Sequence, residues 1–221
     1  RSALLGFLNP FLYYIILFKA YSLLPAQIAQ PLNFTWPVIL TILSIPLLGQ
    51  KISVKNILAL VISFTGVFFI SSQGNLVNYK IIEPFGVFLA LISSVVWSLF
   101  WILSMKDKRD DEIKLFFNFF FSGIYIIITC MIFSDFNFNL TVSFYAAIYS
   151  GIFEMGITFI LWLKALQLSK TTDRVANLVY IVPFLSLILI HFVINEEIFF
   201  TSIIGLILIV LGIIIQRIRQ Q

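Results

Sequence analysis

Charge is scarce in this chain. Only 11% of its 221 residues are Asp, Glu, Lys or Arg, and it holds one histidine and one cysteine. The longest polar stretch, Lys106 to Lys114, is nine residues, so no soluble domain fits between the apolar segments. Cys130 is alone and sits within an apolar run, which excludes an internal disulfide and a cysteine metal site. There is no GxxxxGK[ST], no HExxH, no GxSxG and no Cys/His cluster. ATP-driven transport by this chain alone is excluded on that ground, and no cofactor motif is present. Nothing resembles a cleavable signal peptide with a small-residue cleavage site.

What fills the chain instead is hydrocarbon. Hydrophobic residues make up 61% of it, and mean hydropathy is +1.06. Eight long apolar stretches can be read, at Ala3–Leu24, Ile28–Leu48, Val54–Ser72, Phe85–Met105, Leu115–Phe133, Val142–Leu166, Val175–Ile194 and Phe199–Ile215. A bilayer core of about 30 Å takes ~20 apolar residues to cross as a helix. Backbone polar groups in lipid must be satisfied within the segment, and no alternating ~10-residue barrel strands are visible. The pattern predicts an all-α membrane protein.

The 14 basic residues give an orientation. Alternating the eight spans puts Arg1, Lys51, Lys55, Lys106, Lys108, Arg109, Lys114, Lys164, Lys170, Arg174, Arg217 and Arg219 on one side. Only Lys19 and Lys80 fall on the other. Basic loops stay in the cytoplasm, so both ends of this chain are expected there. The net charge of +4 is therefore a topology signal and not a nucleic-acid footprint. The run from Lys106 to Lys114 mixes both signs and reads as a solvated connector.

The chain also matches itself. At a shift of 145, Gly6, Lys19 and Ala20 fall on Gly151, Lys164 and Ala165. At 146, Leu32, Pro37, Leu43, Ile57, Leu60 and Gly66 fall on Leu178, Pro183, Leu189, Ile203, Leu206 and Gly212. Spans one to three thus correspond to spans six to eight, five helices apart, and an odd separation means opposite orientation. Inverted repeats are a mark of secondary transporters with a site between the halves. A five-helix unit leaves two spans to be expected before Arg1, ten in all. Residues 1–73 then hold the last three helices of one repeat and 84–219 the five of the other.

Several polar and aromatic groups sit inside the spans. Glu154 lies about twelve residues into span six, near mid-depth at ~1.5 Å per residue. An acid there suits uptake and release of a proton, with protons as the coupling ion, or else serves as a neutral hydrogen-bonding group. Its repeat counterpart is Asn9, beside Pro10. In span two, Gln30, Asn33 and Pro37 share a face with Trp36 near them, and Pro37 cannot donate to the carbonyl of Asn33. That freed turn is either a ligand site or a kink that shapes the bundle. Pro183 repeats the device with Asn177 and Tyr180 close by. Span four shows Ser94, Trp97, Ser98 and Trp101 along one face, to line a cavity or to pack through the serines. Tyr13 and Trp162 would extend an aromatic chamber. Lys19 either attracts an anion or snorkels.

The stretch Asn33-Phe-Thr-Trp36-Pro37 with Ala29 before it, Gly49-Gln50-Lys51 after it, and then Pro183, Asn195-Glu196-Glu197 and Gly212 resembles the drug/metabolite transporter superfamily, in its EamA-type ten-helix branch. Each repeat of that family carries a proline followed by Gly-Glu. Here Gln50 stands for the first Glu and Asn195 for the second Gly. The Asn-x-x-Trp-Pro and Gly-Gln-Lys wording is most similar to bacterial aromatic-amino-acid exporters. The resemblance implies an inner-membrane exporter of amino acids or similar small metabolites, with no cofactor and a central cavity lined here by spans one, two, four, six and seven. A non-transporting membrane subunit and a membrane-embedded enzyme are the alternatives, and the enzyme lacks clustered catalytic groups.

The charge distribution makes a direct prediction. A cysteine placed at Asn75 or Asn137 should react with an impermeant thiol reagent applied to intact cells, and one at Asp110 should not. Labelling at position 110 overturns the orientation.

Overall fold

In a computed structural model, residues 1–49, 54–72, 83–133, 141–158, 161 and 182–217 are described. All regular structure among them is helical. We number the helices α1 (Ser2–Leu23), α2 (Ala26–Leu48), α3 (Val54–Ser71), α4 (Pro84–Met105), α5 (Asp111–Phe133), α6 (Val142–Tyr149, running on through Ser150–Thr158), α7 (Val182–Ile194) and α8 (Phe200–Arg217). Helices α1, α2, α4 and α5 are each long and apolar enough to cross a membrane. The chain divides into two units, Arg1–Ile127 with Pro183–Gln221, and Ile128–Val182.

Within the larger unit, α4 is the central helix. Its apolar stretch is 56% buried, against 11% for α5, whose Phe116, Phe117 and Phe120 point outward. Lipid tails are as apolar as leucine, so burying leucines cannot by itself hold such helices together. Close packing and hydrogen bonds do it. Helix α4 packs on α1 and on both halves of α2. Ser93, Ser94 and Ser98 are all buried there. Asn33 Nδ2 donates to Ser93 Oγ at 2.8 Å, Thr35 Oγ1 to Ser94 Oγ at 3.2 Å, and Ser98 Oγ to the Trp36 carbonyl at 2.8 Å. The numbering rises together on both helices, so α2 and α4 are parallel.

Among the described residues, two helices are interrupted beside a proline. In α1 the segment Phe7–Leu12 is a widened, π-type stretch in which Asn9 is extended at φ −147°, ψ 127°, and the Asn9–Pro10 peptide is cis. Pro10 has no N–H for the carbonyl one turn back, so the ladder cannot run straight through. In α2 the regular turns stop at Asn33 and resume at Trp36. The ladder tightens there, with Thr35 N–H on Leu32 O at 3.2 Å and Val38 N–H on Thr35 O at 3.0 Å. Pro37 sits in the first turn of the resumed helix, where a missing N–H matters least. Pro183 is likewise the second described residue of α7, and is fully buried. Val179, whose carbonyl Pro183 is expected to free, lies outside the described residues.

Helices α3 and α8 meet through glycine. A Cβ on Gly66 would stand 2.5 Å from the carbonyl of Gly205, and one on Gly212 would stand 2.7 Å from that of Ala59. Gly66 also lies against Ile209, and Gly212 against Ser63. The numbering rises on one helix as it falls on the other, so the pair is antiparallel. A shift of 146 converts Gly66–Gly205 into Gly212–Ala59 and Gly66–Ile209 into Gly212–Ser63. The left-handed residues obey the same shift: Gly49 has φ 69° and Asn195 φ 59°. Asn195 thus takes the left-handed conformation that Gly49 takes 146 residues earlier, and asparagine is the side-chain-bearing residue that tolerates it best.

These contacts predict two outcomes. Gly205→Val has no room without helix separation, and should lower stability in detergent by about 1–3 kcal/mol in a thermal or denaturant unfolding experiment. Asn195→Gly should be neutral or mildly stabilising, whereas Asn195→Val, β-branched at positive φ, should lower the melting temperature.

Candidate functional site

Three helices bring their mid-span groups together. Tyr13 on α1 is buried, and its hydroxyl donates to Asn33 Oδ1 on α2 at 3.1 Å. Its ring lies 4.7 Å from that of Trp97 on α4, tilted by 39°. Trp97 in turn meets Trp101 edge-on at 6.0 Å, and Tyr14 flanks Tyr13 at 5.0 Å. Asn33, which donates to Ser93 with its other end, is the pin joining α1, α2 and α4. Both ends of its amide are engaged, so it positions the cluster more than it offers free groups to a ligand.

The free groups lie one turn away on each helix. Asn9 Oδ1 on α1, Gln30 Oε1 on α2 and Trp101 Nε1 on α4 are buried and have no hydrogen-bond partner among the described residues. Burying such an atom unpaired costs about 1–3 kcal/mol, and a native structure keeps few of them. Two acceptors and one donor thus stand one turn along the helices that carry an aromatic patch, a chemistry suited to a small amphipathic guest. Trp36 is half-buried, with its carbonyl taken by Ser98. On α4 the serines tie the helix to α2 while Trp97 stacks on Tyr13, so the two readings of that face divide between residue types.

Glu154 belongs to the smaller unit. It is exposed and stands in the widened stretch Ser150–Thr158. Shifted by 145, Phe7–Leu12 falls on 152–157, so Asn9 and Glu154 both stand in π-type stretches, the first of which also holds an extended residue and a cis proline. Widened turns of this kind recur at functional sites. Trp162, Asn177 and Tyr180 lie outside the described residues. Lys19 is exposed.

Sequence reasoning missed two polar clusters. At one end of the larger unit, Glu196 accepts from the backbone N–H groups of Ala26 and Gln27 at 2.9 and 3.2 Å, at the start of α2. Gln27 is 2% exposed. Its Nε2 donates to the Glu197 carbonyl at 2.7 Å, and its Oε1 accepts from Phe199 N–H at 2.8 Å. His191 Nδ1 donates to the Glu196 carbonyl at 3.0 Å. The acid of the Asn195-Glu196 motif is thus a helix-start ligand, where a negative charge is favoured.

At the other end the connector proves to be built and not merely solvated. Helix α5 begins at Asp111, inside the polar run, and Asp107 is buried. Arg109 holds its carboxylate at 2.5 Å and also donates to Ser2 Oγ at 2.9 Å, and Arg1 approaches at 3.6 Å. Lys106 Nζ donates to the Leu47 carbonyl at 2.8 Å. An open cavity of about 550 Å³ lies here, lined by Arg1, Lys106, Asp107, Lys108 and Arg109, away from the aromatic cluster. The expectation of a solvated connector holds for the exposed Lys106, Lys108, Arg109 and Asp110, while Asp107 departs from it because it sits opposite Arg109 and Ser2, a pairing that mixed-sign spacing does not disclose. Hydrogen bonds from the Arg109 guanidinium hold the Asp107 carboxyl far below the usual carboxylate range, against the opposing effect of burial.

With the geometry in hand, the relatives can be placed. The EamA-like transporter family matches residues 1–72 and 84–217. The chain belongs to the EamA-like transporter family. It is 28% identical over 184 residues to an uncharacterized transporter of Clostridium kluyveri, covering 76% of this chain and 56% of that one. It is 25% identical over 218 residues to the uncharacterized transporter YvbV of Bacillus subtilis, covering 97% and 70% respectively. The chain thus spans little more than half the length of the Clostridium kluyveri relative. A crystal structure superposes with a TM-score of 0.63 at 20% identity over 97% of this chain and 75% of the other, which speaks to fold alone. It is a multi-pass membrane protein of a transporter family.

Two predictions follow from the bonds. Gln27→Leu strands the Phe199 N–H and should cost about 1–3 kcal/mol in thermal unfolding, more than Asn33→Ala at about 1 kcal/mol, because Ser93 keeps its own bond to Ala90. For Asp107 the folded pKa is depressed, so its stabilisation is full above the unfolded value near 3.9 and is lost only as pH falls through the lower folded value. Asp107→Asn should therefore lower the melting temperature by the same amount at every pH from 5 to 8. A penalty that shrinks within that window contradicts the pairing.

Proposed function

We propose that this chain is the larger part of a secondary transporter that exports a small metabolite, an amino acid or a related compound, across the inner membrane by alternating access. The observation that carries the reading is the cluster of Tyr13, Asn33 and Trp97, with Asn9, Gln30 and Trp101 one turn away on the same three helices and unpaired among the described residues. In this reading Trp36 joins the cluster, Glu154, Trp162, Asn177 and Tyr180 are further substrate-binding candidates taken from the sequence alone, and aromatic faces favour an aromatic or aliphatic amino acid.

A ten-helix, inverted five-plus-five architecture is supported by four correspondences, three at a shift of 146 and one at 145. These are the antiparallel glycine contacts of α3 and α8, the left-handed Gly49 and Asn195, the prolines 37 and 183, and the widened segments around Asn9 and Glu154. In the orientation set by the basic residues, the Gln27–Glu196 cluster faces the periplasm and the Asp107–Arg109 cluster the cytoplasm. Each ties elements of the bundle at one end by a handful of bonds. Breaking one end while the other holds is what alternating access requires.

Proteoliposomes containing the full-length protein, preloaded with an amino-acid and nucleobase panel, test this directly. Substrate-dependent efflux of at least one compound is expected, reduced by Trp97→Ala. Failure of every compound favours a non-transporting subunit. Glu154→Gln tests the coupling: it should retain substrate binding and lose pH-dependent transport, whereas wild-type pH dependence in that variant removes the proton role.

A further inference from the structure

The open cavity at the Asp107 end is lined by charges that the protein does not balance. Helices α2 and α4 finish at this end, and α1 and α5 begin here. Arg1, Lys106, Lys108 and Arg109 line the cavity with one carboxylate, Asp107, so four positive charges face a single negative one. Asp107 is itself buried, and both its oxygens accept from the Arg109 guanidinium. The neighbouring acids do not cancel the excess. Asp111 is paired with Lys114, and Asp110 and Glu112 do not line the cavity. Lys106 places one of its three N–H groups on the Leu47 carbonyl and keeps two for another acceptor. Lys108 is exposed and has no hydrogen bond or ion pair among the described residues.

Cations gathered in one recess repel one another, and an anion among them removes that repulsion. Arg and Lys together suit an oxyanion with several acceptor oxygens, of which phosphate is the common case. The surroundings select its source. Helices α1, α2, α4 and α5 are the ones long and apolar enough to cross a membrane, so the cavity lies where spans leave the bilayer. Helices α1 and α5 run side by side from it, since a Cβ on Gly6 would collide with the Asn118 carbonyl. Just inside, Leu4 on α1 and Ile113, Phe116 and Phe117 on α5 are between 41% and 65% exposed. A ligand with a phosphate at one end and hydrocarbon at the other matches both features, whereas a soluble anion uses only the first. In the orientation set by the basic residues this end meets the cytoplasmic leaflet, whose surface is anionic and whose lipids enter basic pockets between spans. We propose that Lys106, Lys108 and Arg109, with Arg1 beside them, bind the phosphodiester headgroup of an anionic lipid, its acyl chains lying along the exposed apolar flank of α1 and α5.

The test is a melting experiment on the full-length protein in neutral detergent at fixed ionic strength. The additives are dihexanoylphosphatidylglycerol, dihexanoylphosphatidylcholine and sodium phosphate. At ten to a hundred times its Kd, the phosphatidylglycerol should raise the melting temperature by roughly 3–10 °C for a protein of this size. The phosphatidylcholine and the phosphate should each give only a small part of that rise. Lys108→Gln breaks no bond within the described residues, and should weaken phosphatidylglycerol binding about fivefold. Lys106→Gln combined with Lys108→Gln should abolish the rise, and Lys19→Gln, at the far end of α1, should leave it intact. Equal melting temperatures with the two lipids, or a rise that survives the double substitution, overturn the site. The full rise with phosphate alone overturns the lipid as its source. The readout is binding at one end of the bundle, so it stands or falls independently of the transport assay.

Discussion

Hydrocarbon offers no hydrogen bonds, and the organisation of this protein follows from that. A polar side chain inside a span must find its partner on another helix, or carry the penalty of being buried alone. The serines of α4 meet Asn33, Thr35 and the Trp36 carbonyl on α2, just where the α2 ladder is disturbed. The interruption and its remedy are one arrangement. It also fixes the parallel register of α2 and α4, and so places Trp97 against Tyr13. Among the described residues the rule is broken at Asn9, Gln30 and Trp101, each one turn from the aromatic patch on its own helix, and also at Ser63, Ser104, Asn118 and Ser122.

Close approach is the second half of the account. Glycine at positions 66, 205 and 212 lets α3 and α8 touch backbone to backbone, and Gly6 does the same for α1 and α5. Without an apolar driving force between helices, these contacts supply dispersion that bulkier residues would forfeit. The antiparallel glycine contacts also exchange under the shift of 146 that aligns the two sequence segments, and so support the proposed repeat.

Hydropathy made the helices legible. The apolar stretches read from sequence and the observed helices agree within a few residues wherever both are described, as at Ala3–Leu24 against Ser2–Leu23 and Phe199–Ile215 against Phe200–Arg217. The start of α5 was misplaced by four residues, because Asp111 and Glu112 are good first-turn residues although they are not apolar. What sequence could not supply were partners. Gln27 and Glu196 are 169 residues apart, and no periodicity links them. Asp107 hid in a run of alternating signs. The proline positions pointed to the right turn of α2, but not to Asn33 being spoken for at both ends.

The central claim is that the junction of α1, α2 and α4 receives the substrate. It is tested most directly by alkylating a cysteine at Gln30 in a Cys130→Ser background, with and without a transported compound. The account predicts that saturating substrate slows alkylation at position 30 several-fold, while a cysteine at the outward-facing Phe120 reacts unchanged. Equal rates at position 30 with and without substrate contradict it.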